Sequence, residues 1–167
     1  MQSKDFVVRF AGEGGGGLVT SAELLAQVTS QVGYHVKTFV TFPSQIMGGP
    51  TFAQARISTE AVLSYGDQLD VLVALDREAY DTHQSEVRDG GVIIYNAEDF
   101  QLEEDGKSFG MRIDELAKST GNPRAANMVM LGAIAYLITM SEHYLPEFVT
   151  KRFSRGRPGD EEIIKGN

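Results

Sequence analysis

The stretch GEGGGG, residues 12–17, lies between a strand-like apolar run at 6–10 and a segment with helical periodicity that begins at Leu18. Glycine lets the backbone approach a ligand closely, and the N-terminus of a following helix offers unpaired N–H groups and partial positive charge. The stretch therefore predicts a strand–loop–helix unit that binds a phosphate or a diphosphate. The alternative is a tight turn that only packs the strand against the helix.

The loop also fits the pattern G-x-G-x-x-G through Gly12, Gly14 and Gly17, which alone is weak evidence for a dinucleotide site. That fingerprint expects an acidic residue about 20 residues further on to hold a ribose hydroxyl. The chain has no Asp or Glu between Leu24 and Thr59, so NAD binding is disfavoured. No Gly-Lys-Ser/Thr follows the loop, which excludes a P-loop.

Composition narrows the classes of protein. The 167 residues suffice for one domain with a core, and 42% hydrophobic residues is typical of globular proteins. With 23 acidic and 15 basic residues the net charge is −8, which argues against a nucleic-acid or membrane partner. The chain has no cysteine, which excludes disulfides and iron–sulfur ligation by this chain and fits a cytoplasmic location. We see no signal-peptide pattern, and the longest apolar stretch, 125–140, is too short to span a membrane.

Strand-like and helix-like segments alternate along the chain, which predicts an α/β fold. Strands are predicted at 5–11, 34–41, 51–58, 69–75 and 91–95, and helices at 18–32, 77–83, 111–118, 122–142 and 145–153. We expect an open, mostly parallel twisted sheet flanked by helices, with the Gly-rich strand–loop–helix unit at the N-terminus. The acidic segment 98–110 is expected to form an exposed hairpin or loop. The predicted domain covers 1–153, and 154–167 is expected to be a linker-like tail.

Further binding candidates lie where predicted strands end. The loop PSQIMGGP, residues 43–50, contains a glycine pair that permits close backbone approach, although it also suits an ordinary turn. Asn96 ends a predicted central strand, and Asn127 lies in a nearly all-apolar helix. A buried amide needs a hydrogen-bond partner, which is either a ligand or a neighbouring backbone group.

Metal-binding and catalytic patterns are not apparent in the sequence. His35, His83 and His143 lack the spacing of metal ligands and are expected to be surface or satisfied core residues. Three aspartates are better explained as turn and capping residues than as a metal cluster, namely Asp67, Asp70 and Asp76. Of these, Asp76 is expected to cap the helix 77–83. We therefore expect no self-sufficient catalytic site.

Seven segments match one family in order along the chain. They are RFAGEGGGG (9–17), GYHV (33–36), FPSQIMGGP (42–50) with ARIS (55–58), LDVLVAL (69–75), GGVIIYN (90–96) and NMVMLG (127–132). Together they resemble the gamma subunit of 2-oxoacid:ferredoxin oxidoreductases, above all the 2-oxoglutarate-type branch. In that branch the gamma domain is commonly fused ahead of the alpha domain, so the tail suits an excised domain or a stand-alone subunit.

The resemblance implies an enzyme subunit that is not catalytic alone. The family reaction converts a 2-oxoacid such as pyruvate or 2-oxoglutarate, coenzyme A and oxidised ferredoxin into acyl-CoA, CO2 and reduced ferredoxin. Thiamine diphosphate and iron–sulfur clusters are implied only in partner chains, whereas the gamma domain contributes coenzyme A binding. The expected partners are alpha and beta subunits, with alpha fused in some members, and ferredoxin reached through the complex. A homodimer is also compatible with the resemblance.

The resemblance also implies which residues bind coenzyme A. The loop Gly12, Glu13, Gly14, Gly15, Gly16, Gly17 and the adjoining Leu18 would hold the diphosphate, and Ser44, Gln45, Asn96 and Asn127 match further contact positions. It implies no catalytic residue and no metal ligand.

Two departures from the family pattern keep an alternative open. The family usually has Gln where this chain has Gly16, and Arg where it has Met47. Losing an Arg removes a bidentate, permanently charged phosphate contact. The alternative is a scaffold domain of the same complex that binds no nucleotide. Ile46, Met47 and the segment 98–110 are the candidates for partner contact.

Overall fold

The computed structural model describes residues 5–14, 17–42, 49–122, 125–138, 144–154, 156 and 159–166. The chain divides into two compact units, Met1–Arg112 (unit 1) and Ile113–Asn167 (unit 2). The sheet lies in unit 1, and the described elements of unit 2 are helices. The predicted division into a domain 1–153 and a tail 154–167 stays a prediction.

Unit 1 is built on a six-stranded sheet. Its strands are β1 (Asp5–Glu13), β2 (His35–Val40), β3 (Pro50–Ser58), β4 (Leu69–Ala74), β5 (Val87–Asn96) and β6 (Ser108–Met111), in the spatial order β2-β3-β1-β4-β5-β6. Only β3 runs against the others: it pairs antiparallel with β1 and β2, while β1, β4, β5 and β6 pair in parallel. This confirms the predicted α/β fold with an open, mostly parallel sheet.

Two helices of unit 1 pack against this sheet. α1 (Leu18–Gln31) contacts β1, β2 and β3, and α2 (Arg77–His83) contacts β1 and β4. All six residues of β4 are buried, as expected for a central strand. Phe10 and Leu72 are fully buried, and burial of each such side chain is worth about 1.5–3 kcal/mol. The packed sheet thereby fixes where the ends of its strands lie.

The acidic segment 98–110 differs in part from its prediction. Residues 98–107 are irregular, but Ser108–Met111 forms β6, which pairs in parallel with β5 instead of making a hairpin. The Asp105 carboxylate accepts hydrogen bonds from the N–H groups of Lys107 and Ser108, at 2.9 and 2.6 Å. These bonds close a local turn that directs the chain onto the free edge of β5. They also lower the pKa of Asp105, the bond from Lys107 contributing most.

Unit 2 contains α3 (Ile113–Ser119), α4 (Ala126–Leu137), α5 (Tyr144–Phe153) and α6 (Asp160–Gly166). The predicted start of α4 at residue 122 is wrong. The helix begins at Ala126, with Ala125 and not Asn122 as its N-cap. Residues 139–143 of the predicted helix lie outside the described residues. No helix within the described ranges is long and apolar enough to cross a bilayer.

Candidate functional site

The glycine loop connects the end of β1 to the start of α1 at the carboxyl end of the parallel strands. Ligands of open α/β sheets bind at this edge. Gly17 is the N-cap of α1 and has a φ of 78°, a conformation that favours glycine. No side chain caps the N-terminal end of this helix. The first turn of α1 also has no acidic residue. The N–H groups at the start of α1, from Leu18 onward, are therefore suited to an anion.

Two other amides of the loop already have acceptors within the protein. The N–H of Glu13 donates to Asp76 Oδ2 at 2.7 Å, and the N–H of Gly14 donates to the carbonyl of Gly49 at 3.1 Å. The second bond joins the glycine loop to the end of the predicted second binding loop. Of the described loop residues, Gly17 and Leu18 are thus better placed than Glu13 and Gly14 to offer main-chain donors to a ligand.

Asp76 ties the glycine loop to α2. Its Oδ1 accepts the N–H of Ala79 at 2.8 Å, which confirms the predicted helix cap, while its Oδ2 holds Glu13. This carboxylate lies close to Gly12: a Cβ there would be 3.2 Å from Asp76 Oδ2 and 3.0 Å from the Cβ of Leu75. Gly12 therefore makes room for the aspartate, a role that the sequence pattern does not reveal.

The remaining predicted site residues are distributed over both units. Asn96 ends β5, two strands from β1, and its Oδ1 accepts the N–H of Glu98 at 3.3 Å. Asn127 lies in α4 of unit 2 and is half-buried, so the expectation of a buried amide is wrong; its Oδ1 accepts the N–H of Met128 at 3.0 Å. The side-chain nitrogens of both asparagines have no hydrogen bond to the described residues. Six candidates lie outside the described residues: Gly15, Gly16, Ser44, Gln45, Ile46 and Met47.

A cavity of about 400 Å³ opens beside Gly12 and Glu13, between α2 and the start of β3. Four carboxylates contribute to its lining, from Glu13, Asp76, Glu78 and Asp99. Arg77 also lines this acidic cavity, but its Nε lies 3.0 Å from both carboxylate oxygens of Asp81. The acidic cavity is therefore electrostatically opposite in character to the start of α1.

A buried arginine cluster adjoins the acidic cavity, and it was not predicted from the sequence. Arg9 of β1 is 6% exposed, and its Nε and Nη2 donate to Gln54 Oε1 at 3.0 and 2.8 Å. Its Nη1 donates to Glu86 Oε1 at 2.6 Å and lies 2.9 Å from His83 Nδ1. The guanidinium stacks on Phe52, 4.2 Å from the ring centroid. The one sign of this cluster in the sequence was the charged residue Arg9 inside the apolar run 6–10. We call Arg9, Gln54, His83 and Glu86 the Arg9 cluster.

The Arg9 cluster predicts a specific response to acid. Burial alone would raise the pKa of Glu86, but the hydrogen bonds with Arg9 and His83 and the positive charge of Arg9 outweigh burial, so this pKa lies below the ordinary 4.5. A lowered folded-state pKa stabilises the protein above pH 4.5, and this stabilisation is lost as the pH falls through the lowered value. Glu86→Gln is expected to lose less stability than wild type on acidification below pH 4.5. The difference should stay below about 1 kcal/mol, because Glu86 is partly exposed to solvent.

Urea unfolding followed by circular dichroism at several pH values measures this difference. Asp5→Asn serves as the comparison, because Asp5, the first residue of β1, has a pKa that is lowered by a hydrogen bond from Arg56 and not by the Arg9 cluster. Parallel acid profiles for wild type and Glu86→Gln would contradict the prediction.

Of the other titratable candidates, Asp70 differs from its prediction. It is a buried residue of β4, not a turn or capping residue: its Oδ2 accepts the N–H of Val7 at 2.8 Å, and its Oδ1 pairs with Arg88. His35 is exposed, and His143 lies outside the described residues. Within the described ranges, no three His, Asp or Glu side chains are grouped so that they could hold a metal ion.

Comparison with known proteins connects this chain to a family. The family model described as "Pyruvate ferredoxin/flavodoxin oxidoreductase" matches residues 7–167. Ketoisovalerate oxidoreductase subunit VorA of Methanothermobacter marburgensis is 35% identical over 133 residues, covering 78% of this chain and 28% of the relative. Pyruvate synthase subunit PorC of Methanothermobacter thermautotrophicus is 34% identical, covering 77% of this chain and 73% of the relative. The chain thus spans only 28–34% of the VorA proteins that it matches.

Two solved structures have the same fold over 98% of this chain. One is the 2-oxoglutarate:ferredoxin oxidoreductase from Magnetococcus marinus with 2-oxoglutarate, coenzyme A and succinyl-CoA bound. Its TM-score is 0.83 at 32% identity, and the match covers 29% of that chain. The gamma subunit of a keto/oxoacid ferredoxin oxidoreductase from Geobacter sulfurreducens gives 0.78 at 26% identity and is covered to 92%.

Proposed function

Because the chain belongs to the pyruvate ferredoxin/flavodoxin oxidoreductase family, we propose that it is the gamma component of a 2-oxoacid:ferredoxin oxidoreductase and contributes coenzyme A binding. The observation that supports coenzyme A as the ligand is the start of α1, which has no side-chain cap and follows a glycine loop at the carboxyl end of β1. Unpaired N–H groups and the helix dipole favour a diphosphate at this place. Coenzyme A contains a diphosphate, so the donors present fit it.

The chain's own residues bind and orient this ligand. Coenzyme A supplies the thiol that receives the acyl group when it is bound. Gly17 and Leu18 offer main-chain donors to the diphosphate, while Asp76 and Gly49 fix the loop that precedes them. We propose that alpha and beta chains hold thiamine diphosphate and the iron–sulfur clusters and pass electrons to ferredoxin.

The Magnetococcus relative supports both the ligand and the branch of the family. It holds coenzyme A and succinyl-CoA, and it is 32% identical to this chain. On that basis we propose a 2-oxoglutarate-type enzyme. Ketoisovalerate and pyruvate relatives have similar identity, so a substrate assay with all three 2-oxoacids distinguishes the branches. Preferred turnover of a branched-chain or three-carbon substrate would contradict this branch.

Partner contact is proposed for the segment 98–110. Phe109 of β6 is 55% exposed, and β6 is an edge strand. An edge strand presents unpaired N–H and C=O groups with which another chain can pair. The alpha and beta subunits are the proposed occupants.

Coenzyme A titration tests the proposed site. The full protein, with any subunits that co-purify, is titrated by calorimetry as wild type, Gly14→Val and Asn127→Ala. Both variants are expected to weaken binding by about tenfold, Gly14→Val by bulk beside the diphosphate and Asn127→Ala by loss of an amide contact. Gly132→Val is the matched control, because a Cβ at Gly132 meets no atom within 4 Å. Equal binding by all four proteins would place the ligand elsewhere.

The second candidate is a scaffold domain of the same complex that binds no nucleotide. Its support is that the N–H groups of Glu13 and Gly14 are already bonded and that carboxylates line the adjoining cavity. Met47 and Gly16, which replace the family's Arg and Gln, favour it as well. Co-purification of alpha and beta chains without measurable coenzyme A binding would select this candidate.

A further inference from the structure

We propose that β2 is an interface for a second copy of this chain, in which the two β2 strands pair antiparallel about a two-fold axis at Thr38. The inference goes beyond the proposed function, because it concerns the association of two copies and not the binding of coenzyme A. Three properties of β2 support it: the direction of its main-chain groups, the register that they permit, and the charges along the strand.

β2 forms one edge of the sheet. β3 lies on its inner side, and no described strand lies on its outer side. Edge strands are usually protected by a proline, by a bulge or by charged side chains. β2 has no proline, and it pairs with β3 in unbroken register from His35 to Val40. Its one permanent charge is held within the chain, because Lys37 Nζ donates to the carbonyl of Leu63 at 3.0 Å and lies 4.8 Å from the ring centroid of Tyr65. The edge is therefore open to pairing with a further strand.

The main-chain groups that face outward belong to the even-numbered residues of β2. The N–H of Thr41 donates to the carbonyl of Phe52 at 2.9 Å, in the same register as the pairing of β2 with β3. Along an antiparallel strand, residues that exchange hydrogen bonds with a given neighbour alternate with residues that do not. Thr41 therefore faces β3, as do the other odd-numbered residues. Val36, Thr38 and Val40 direct their N–H and C=O groups to the open edge.

These outward groups match a second β2 strand best in one register. When Thr38 lies opposite Thr38 of the second copy, Val36 lies opposite Val40, and all three outward-facing residues form hydrogen-bonded pairs. Moving the register by two residues in one direction places Lys37 opposite Lys37, and like charges directly opposite are destabilising. Moving it in the other direction places Val36 opposite Phe42, which lies beyond the end of β2. The first register therefore has the most hydrogen bonds and no like-charge pair.

The side chains of β2 are also complementary in this register. Lys37 lies opposite Phe39 of the second copy, in a pair without mutual hydrogen bonds, whose Cα atoms are about 4.5 Å apart. Phe39 is 39% exposed, and its ring centroid lies 4.8 Å from that of Tyr65. The aliphatic stem of Lys37 can cover this exposed ring, with the ammonium group near the aromatic face. Pairing of the two strands thus covers apolar surface that a single chain exposes.

The charges around β2 favour a second copy of this acidic chain. The net charge is −8, so two copies repel each other wherever their carboxylates meet. No Asp or Glu occurs from residue 25 to residue 58, a range that includes the second half of α1, β2 and β3. The depression between α1 and β2 is lined by uncharged residues, namely Ala26, Gln27, Ser30, Gln31, Val36 and Thr38. Contact through β2 therefore keeps this repulsion low.

Thr38→Pro tests the interface without removing a hydrogen bond to β3. Proline has no N–H, and it is tolerated in an edge strand where the N–H faces outward. Both hydrogen bonds between the two Thr38 residues are lost, so we expect dimerisation to weaken at least about 30-fold. Thr38→Val keeps the N–H and the shape of the side chain and is expected to dimerise like wild type. Sedimentation velocity of the full chain at increasing concentration measures the dissociation constants, and circular dichroism checks the fold of each variant.

Disulfide cross-linking tests the position of the two-fold axis. The chain has no cysteine, so a single introduced cysteine can form a disulfide only with its equivalent in a second copy or with another protein. In Thr38→Cys the two Cα atoms lie about 5.5 Å apart across the axis, a distance that a disulfide spans. In the control Val36→Cys the two cysteines are offset by four residues along the strands, roughly 13 Å, which is too far. Copper–phenanthroline oxidation is expected to cross-link Thr38→Cys and not Val36→Cys.

Three results would overturn the inference. They are a wild-type chain that stays monomeric up to millimolar concentration, a dimer that persists unchanged in a folded Thr38→Pro variant, and equal cross-linking of the two cysteine variants. A disulfide of Thr38→Cys with a co-purifying subunit, in place of a second copy, would also overturn it. If Thr38→Pro does not fold, selective cross-linking of Thr38→Cys decides the question. None of these results changes the proposed binding of coenzyme A, which is measured separately.

Discussion

Replacing Gln54 with leucine is expected to lower the free energy of unfolding by about 3 kcal/mol. Gln54 is 2% exposed, and its Oε1 is the acceptor for both Nε and Nη2 of the buried Arg9. Its Nε2 donates to the carbonyls of Tyr65 and Gly66, at 2.7 and 3.2 Å. Leucine fills a similar volume but cannot form hydrogen bonds. Two guanidinium N–H groups of Arg9 and the carbonyls of Tyr65 and Gly66 therefore lose the partners that Gln54 provides. Removing a partner from a buried charge is more costly than losing one ordinary hydrogen bond.

Urea unfolding followed by circular dichroism measures this change, since the chain has no tryptophan to report by fluorescence. Gln31→Leu makes the same chemical change at an exposed position of α1 and is expected to alter stability by less than about 0.5 kcal/mol. A Gln54→Leu protein as stable as the Gln31→Leu control would refute the structural importance of the Arg9 cluster.

Asp76→Ala is expected to be the second large change, with a loss of about 2–4 kcal/mol. Loss of a helix cap costs about 1 kcal/mol, and a hydrogen bond to a charged group contributes about 1.5–3 kcal/mol. Asp76 makes one bond of each kind, to Ala79 N and Glu13 N. The substitution therefore removes the α2 cap and releases the glycine loop together.

Asp76→Asn separates the two effects. Asparagine is also a good cap, but its amide nitrogen cannot accept the N–H of Glu13, so only the loop contact is lost. We expect a loss between that of Asp76→Ala and that of the control Asp81→Ala. Asp81 is an exposed residue of the same helix, paired with Arg77, and its removal is expected to cost less than about 0.5 kcal/mol. Equal unfolding midpoints for Asp76→Ala and Asp81→Ala would show that the loop is held by other contacts.

The elements that were predicted correctly depend on signals close together in sequence. The apolar run of β4 and the capping role of Asp76 can each be recognised within a few residues. The order of the strands and the reversed direction of β3 depend on pairing between distant segments, which a single sequence does not specify. Asn122 shows the limit of local rules, because this good capping residue before proline does not cap α4, whose N-cap is Ala125.

The position of the glycine loop could be predicted for the same reason, whereas its role as a binding site stays a prediction. The glycine loop is a local motif, and its place at the end of β1 follows from the strand before it. The bond between Glu13 N and Asp76 joins residues 63 positions apart, and Arg9 meets Glu86 across 77 positions. Neither pair has a periodicity or a spacing that could identify it. The sequence therefore indicated where an anion could bind but not which loop amides the protein itself occupies.

The central position of β1 has a consequence for biosynthesis. β1 pairs with β3 and β4, and both of these strands follow it in the chain. During translation, at about 5–20 residues per second, its apolar residues emerge from the ribosome several seconds before β4 does. Nascent chains arrested before β4 is complete are therefore expected to recruit chaperones and to be degraded rapidly by proteases, whereas arrest after β5 should yield a protected product.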